Sequence, residues 1–190
     1  MTSQEFKEVM ESCPVIAAVK GLDDLEKSLR SQAEVIFVLF GTVCNIAEIV
    51  QMIKDADKIA MVHVDLIAGL NSNKDISVDF IKQNTNADGI ITTHQALIKR
   101  ARELELFSIL RFFLLDSISL QSVTRKRSGC SPDFIEILPG LMPKIIRQIS
   151  NNVSEPIIVG GLITDKEDII AALSAGAVAI STTNESVWFM

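Results

Sequence analysis

Pro156-Ile-Ile-Val-Gly-Gly-Leu-Ile-Thr164 and, one helix length later, Ala175-Gly-Ala-Val-Ala-Ile-Ser-Thr-Thr-Asn184 are the stretches on which the fold is decided. The first reads as a short apolar strand running into paired glycines. The second reads as another strand with a polar end, leading to a short helix that begins near Asn184. Between them Ile169, Ile170 and Leu173 carry helical spacing, Asp165 stands where a helix start is capped, and Gly176 where a helix stops. Strand, helix and strand in this order form a parallel crossover unit.

Working outward from this unit, apolar β-branched runs recur at 15–19, 35–40, 59–64, 89–93, 107–113 and 134–138, which with 156–160 and 177–182 makes eight. Segments of helical period separate them, such as Ile46, Ile49, Val50 and Ile53, or Leu97, Ile98 and Ala101. Asp23 is a second candidate helix cap, Gly129 a second helix stop, and Pro132 and Pro156 precede strands. Near-continuous apolar strands alternating with helices imply a covered parallel sheet, either open and doubly wound or closed. Eight strands favour closure, and no dinucleotide fingerprint or Walker sequence supports an open nucleotide-binding sheet. The expected fold is a compact α/β (β/α)8 TIM-type barrel, one domain over 1–190, and a minimal one, since such barrels usually need about 200 residues or more.

The chain is 48% hydrophobic and 22% charged. No apolar run approaches the roughly 20 residues that cross a bilayer, and the first residues lack a signal-peptide core. A cytoplasmic protein without a membrane partner is expected, and the apolar balance is compatible with burial between subunits of a homo-oligomer. Cys13, Cys44 and Cys130 are too far apart for zinc or redox spacing and are expected as buried thiols. The net charge of -6 argues against a protein that coats nucleic acid, yet the stretch 95–150 carries nine basic and five acidic residues.

In a barrel, chemistry sits at the C-terminal ends of the strands. Lys20, His63, Asp65, Thr92, Thr93, Arg111 and Glu136 are the polar residues at late strand positions. Strand alternation puts Met61, His63 and Asp65 on the inner face, and likewise Arg111 with Ile109 and Glu136 with Phe134. Arg111 and Glu136 come from neighbouring strands, where they either pair structurally or reach a ligand, because an isolated buried charge is costly. His63 and Asp65 are either a hydrogen-bonded couple in the barrel mouth or ligand contacts. The only other histidine is His94, and no metal-ligand spacing is present. Gly160, Gly161, Thr182, Thr183 and Asn184 stand where the loops after the seventh and eighth strands, with a short helix N-terminus, form the recurring phosphate site of this fold.

Those stretches, with His63-Val-Asp-Leu-Ile-Ala-Gly69, Arg111-Phe-Phe-Leu-Leu-Asp116, Ile135-Glu-Ile-Leu-Pro-Gly140 and Trp188, resemble the glycerol-3-phosphate-responsive transcription antiterminators of the bacterial glycerol uptake operon. The resemblance covers nearly the whole chain. It implies a regulator, not an enzyme, that takes glycerol 3-phosphate as effector without a cofactor and then binds the leader of a messenger RNA. The phosphate would lie on amides near Gly161 and Thr183 with Lys20 as charge partner, and the hydroxyls near Asp65, Arg111 or Glu136. His94 departs from the family pattern, where a lysine or arginine is expected, and the chain leaves room only for an abbreviated eighth helix.

For the RNA surface the sequence offers Lys99, Arg100 and Arg102, then Arg125, Lys126 and Arg127, then Lys144 and Arg147, on three consecutive helices. They are either one phosphate-binding stripe or ordinary solvated helix faces. Two alternatives stay open beside the regulator. One is an isomerase or lyase acting on a small phosphorylated metabolite, with His63 or Glu136 as acid or base and Asp65 orienting the histidine. The other is a scaffold subunit.

Overall fold

In the computed structural model, residues 1–125 and 131–190 are described. Eight strands, β1 (Val15–Val19), β2 (Val35–Val38), β3 (Ile59–His63), β4 (Gly89–Thr92), β5 (Phe107–Phe113), β6 (Phe134–Leu138), β7 (Ile157–Gly160) and β8 (Ala179–Thr182), pair in parallel in sequence order. β8 pairs with β1, placing Thr182 opposite Ala17, and the barrel closes. The helices are α1 (Ser3–Ser12), α2 (Leu22–Leu29), α3 (Ile46–Asp55), α4 (Ile76–Asn84), α5 (Gln95–Glu103), α6 (Ser117–Thr124), α7 (Pro143–Ser150) and α8 (Lys166–Ser174). The fold is the expected (β/α)8 barrel.

Short elements make it fit. Helices run 8 to 10 residues, and the place of a helix after β8 is taken by a 3-10 turn, Glu185–Phe189. That turn still buries Val187 and Trp188, and the Trp188 indole N–H donates to the Thr182 carbonyl at 2.8 Å. One aromatic side chain thus covers a wall that a full helix covers elsewhere.

Strand alternation sorts the core into layers. Ala60, Val62 and Val64 point outward under the helices, with Ile46, Ile49, Val50 and Ile53 of α3 in the same cluster. Ile16, Val35, Phe37, Met61, Ile91, Ile109, Phe134 and Ile158 point inward and fill the lower barrel. Above them the inward positions turn polar: His63, Arg111, Glu136 and Ser181 are all buried.

Several local expectations are corrected. Asp165 caps α8 by accepting from the Asp168 N–H at 2.9 Å, but Asp23 is no cap: α2 starts after Gly21, and Asp23 lies inside the first turn. In α8 the phase is set by Ile169 and Ala172, which leaves Ile170 on the solvent side, 54% exposed. The two described cysteines are not buried thiols. Cys44 is exposed in the connection after β2, and Cys13 is half-buried at the end of α1 with its Sγ 3.2 Å from the Gln32 carbonyl. Gly129, Cys130, Lys126 and Arg127 lie outside the described residues.

α1 is an element the periodicity reading passes over. Its start carries a legible signal, because the Thr2 hydroxyl accepts from the Glu5 N–H at 3.2 Å while the Glu5 carboxylate accepts from the Thr2 N–H at 2.7 Å, a capping box. Phe6 and Met10 enter the inner core from below, and the Phe6 ring lies 4.7 Å from that of Phe107 and 5.2 Å from that of Phe134. The helix plugs the N-terminal end of the barrel.

Candidate functional site

At the opposite end the barrel is open. A cavity of about 300 Å³ sits in its mouth, lined by Ala18, Leu39, Arg111, Leu138, Ser181 and the two loops 161–164 and 182–184. The stretches that decided the fold are therefore also the wall of the cavity.

Gly160 and Gly161 do different work. Gly161 has φ +75°, a left-handed turn that swings the loop over the mouth. Gly160 is buried in β7, and a Cβ there would collide with the Ser181 hydroxyl and lie 3.1 Å from the Glu136 carboxylate. Its missing side chain makes room for the hydrogen bond between those two groups. Asn184 ties the loops together: its side-chain amide donates to the Thr164 carbonyl at 3.2 Å and its oxygen accepts from the Ser186 N–H at 3.1 Å. The Thr182 hydroxyl donates to the Ile163 carbonyl at 2.9 Å, and Thr183 stands exposed between them on the lining.

The floor is a charged ladder. Arg111 and Glu136 are register partners on β5 and β6, and the Arg111 Nε donates to Glu136 Oε2 at 2.6 Å. The other Glu136 oxygen accepts from the Ser181 hydroxyl at 2.6 Å. Glu136 is fully buried and both its oxygens are engaged, while Arg111 lines the cavity with its Nε committed. The pair is thus structural, and Arg111 at the same time forms part of the cavity wall.

His63 and Asp65 do not form the expected couple. Asp65 sits in a 3-10 turn, Val64–Leu66, that follows β3, so strand parity no longer governs it. It accepts from the Thr92 hydroxyl at 2.7 Å, the Thr93 N–H at 2.8 Å and the Thr93 hydroxyl at 2.7 Å. Burial pushes the Asp65 carboxyl up, but those three bonds outweigh it and hold it below the usual carboxylate range. His94 caps the same cluster, its Nδ1 3.2 Å from the Thr93 hydroxyl and 3.5 Å from Asp65. Burial first, and the Arg111 charge second, push the His63 imidazole down to about 3. It is neutral, and among the described residues its Nδ1 is the buried side-chain polar atom without a hydrogen-bond partner. Lys20 is exposed just past β1, outside the cavity lining, and its N–H donates to Asp24 at 3.0 Å.

The basic candidates lie elsewhere. Lys99 faces solvent on α5, while Arg100 is half-buried and held by Asp79 and by Glu103, the latter at 2.9 Å. Barrel helices run antiparallel to the strands, so Arg102 near the end of α5 and Arg125 just past α6 stand toward the closed end. Arg102 borders a cleft there with Met1, Ser3, Phe107 and Asp133. Among the described residues, no three His, Cys, Asp or Glu side chains gather as metal ligands and no helix is long and apolar enough to cross a membrane.

The profile of a family described as glycerol-3-phosphate responsive antiterminator matches residues 15–188. The chain is 46% identical to the uncharacterized protein YgcP of Escherichia coli strain K12, over 92% of this chain and 91% of that protein. It superimposes on the crystal structure of a glycerol uptake operon antiterminator regulatory protein from Listeria monocytogenes with a TM-score of 0.87 and 29% identity, covering 92% and 94% of the two chains. A glycerol uptake operon antiterminator-related protein from Thermotoga maritima gives a TM-score of 0.79 and 28% identity over 92% and 96%.

Proposed function

The chain belongs to the glycerol-3-phosphate responsive antiterminator family, and on that premise we propose that it is a regulator that binds glycerol 3-phosphate in the barrel mouth and then the leader mRNA of glycerol-utilisation genes. The observation that carries the effector half is Arg111. It is a nearly buried guanidinium in the cavity wall whose Nε is fixed by Glu136, and a guanidinium held in this way presents its fork to a phosphate with little rotamer entropy left to lose. Gly161, Thr182, Thr183 and Asn184 contribute the loops beside it. The orphan Nδ1 of His63 is buried outside the cavity lining, and an effector hydroxyl reaching below the phosphate would supply the partner that such an atom calls for. Lys20 adds charge from the rim, and Asp65 acts indirectly by fixing the β4 loop.

The isomerase or lyase reading loses its acid and base. Both Glu136 oxygens are occupied, Asp65 is held by threonines and does not orient the histidine, and His63 stays neutral far below physiological pH. The RNA half rests on the family and on Lys99, Arg100, Arg102, Arg125, Lys126 and Arg127.

Calorimetric titration tests the first half. Glycerol 3-phosphate binds, glycerol does not, and Arg111→Lys weakens binding at least ~10-fold by losing the fork, about 1.4 kcal/mol. Equal affinity in wild type and variant would remove Arg111 from the site. Charge reversal at Arg125, Lys126 and Arg127 tests the second half: leader RNA retention is lost at unchanged effector affinity.

A further inference from the structure

We propose that the C-terminal rim of the barrel is the face through which two copies of this chain associate, closing over the mouth cavity. Phe113, Leu115, Ile118, Leu141 and Leu162 stand out of this rim at 51%, 86%, 71%, 43% and 69% exposure. They come from the end of β5, the first turn of α6 and the connections after β5, β6 and β7. Those connections are tied to one another, since the Leu114 N–H donates to the Leu138 carbonyl at 2.7 Å and the Gly140 N–H to the Gly161 carbonyl at 3.2 Å. The five side chains therefore belong to one patch. It exposes on the order of 500 Å² of apolar surface, at the upper end for a monomer's largest patch and more than half of the ~800 Å² each partner contributes to a standard interface.

The chemistry of the patch selects a second copy as its occupant. The segments 113–115, 139–142 and 161–164 contain no charged residue, and the exposed charges stand at the border of the patch: Lys144, Lys166, and Asp116, whose carboxylate caps α6 by accepting from the Ile118 and Ser119 N–H groups. A nucleic acid would need cations here. A neutral apolar face is complementary to itself across a two-fold axis, and two chains of net charge -6 repel least where neither carries charge. Leu162 adds a conformational argument. It is a non-glycine residue held at φ +64° with its side chain turned out to solvent, and local packing offers nothing to offset that backbone strain.

Leu162 also lines the cavity, so a partner copy covers the entrance and effector binding and association favour each other. This coupling rests on the effector reading above; the association itself does not.

Sedimentation equilibrium of wild type, Leu115→Asp and Ile118→Asp, with and without glycerol 3-phosphate, tests the proposal, with circular dichroism to check folding. The expected wild-type species has twice the 20.8 kDa chain mass, and each variant dissociates at least tenfold more readily while still binding effector. A wild type that stays monomeric in both conditions overturns the proposal. So do variants as dimeric as wild type, or variants of unchanged mass that lose RNA retention, which would give the rim to nucleic acid. Should the aspartate variants fail to fold, hydrogen exchange on wild type decides: protection over 113–120 and 161–164 that falls on dilution supports association, and protection independent of concentration refutes it. A dimer that binds no glycerol 3-phosphate would sink the effector reading and leave the association standing.

Discussion

The two ends of this barrel are made of the same eight strands and behave as opposites. At the N-terminal end α1 drives Phe6 and Met10 into the inner core, where neither has any exposed surface. At the C-terminal end the same inward positions carry Arg111 and Ser181 on the wall of an open cavity, with Glu136 and His63 buried outside its lining. One end uses its inward side chains to exclude water, and the other uses them to hold donors and acceptors in a dry frame. With the effector placed as proposed, stability and ligand chemistry are separated along the barrel axis, in keeping with the fold's division of labour between its faces.

Emptying the plug breaks the closed end most severely. Phe6→Ala removes a ring packed against Phe107 and Phe134 and should cost about 3–5 kcal/mol in denaturant unfolding, while effector affinity of the folded fraction stays within about 2-fold of wild type. A loss of binding as large as the loss of stability would show that the two ends are coupled.

Acid sharpens the difference from the other side. His63 has a folded pKa of about 3 against an ordinary 6.5, so between these values the unfolded chain binds a proton that the folded chain refuses. Stability is therefore full above pH 6.5 and falls as the pH drops toward 3, by ~1.4 kcal/mol at about pH 5.5. Subtracting the profile of His63→Leu from that of wild type isolates this component, and a difference that is flat over the range would contradict the neutral, buried imidazole.

The smallest effect belongs to the rim. Leu162→Gly relieves the left-handed backbone and should raise stability by about 0.5–1 kcal/mol, the strain released less the extra entropy of glycine. Thermal unfolding at low protein concentration, where chains are monomeric, reads this; a destabilised variant would mean that the Leu162 side chain is held by its own chain.

Much of this was legible in the residues. β1, β5 and β6 have the bounds their apolar runs imply, and the run at 35–40 is shortened to Val35–Val38, with the Leu39 N–H still donating to the Val19 carbonyl at 2.9 Å. The Gly160-Gly161 and Ser181-Thr-Thr-Asn184 stretches could be assigned to the mouth because strand order alone brings the seventh and eighth loops side by side. Strand parity puts Asp65 inward beside His63, but alternation ends where a strand ends, and the 3-10 turn after His63 redirects the Asp65 carboxylate to Thr92 and Thr93. α1 escaped a periodicity reading because its two buried residues are too few to declare a face, although its capping box was there to be seen.

Short-range chemistry lies in the sequence itself: where strands and helices start, which side of each strand is apolar, that the parallel units number eight, and that Arg111 and Glu136 share the inner face. Those features depend on neighbours along the chain and on a period of two or 3.6 residues. Only the tertiary structure decided which partners each polar group takes: that Ser181 completes the Glu136 ladder across a gap left by Gly160, that His63 is left with an unpaired nitrogen, and that five apolar rim residues converge on one patch. The Ser181–Glu136 contact alone joins residues 45 positions apart, and nothing in local spacing sets the distance between them.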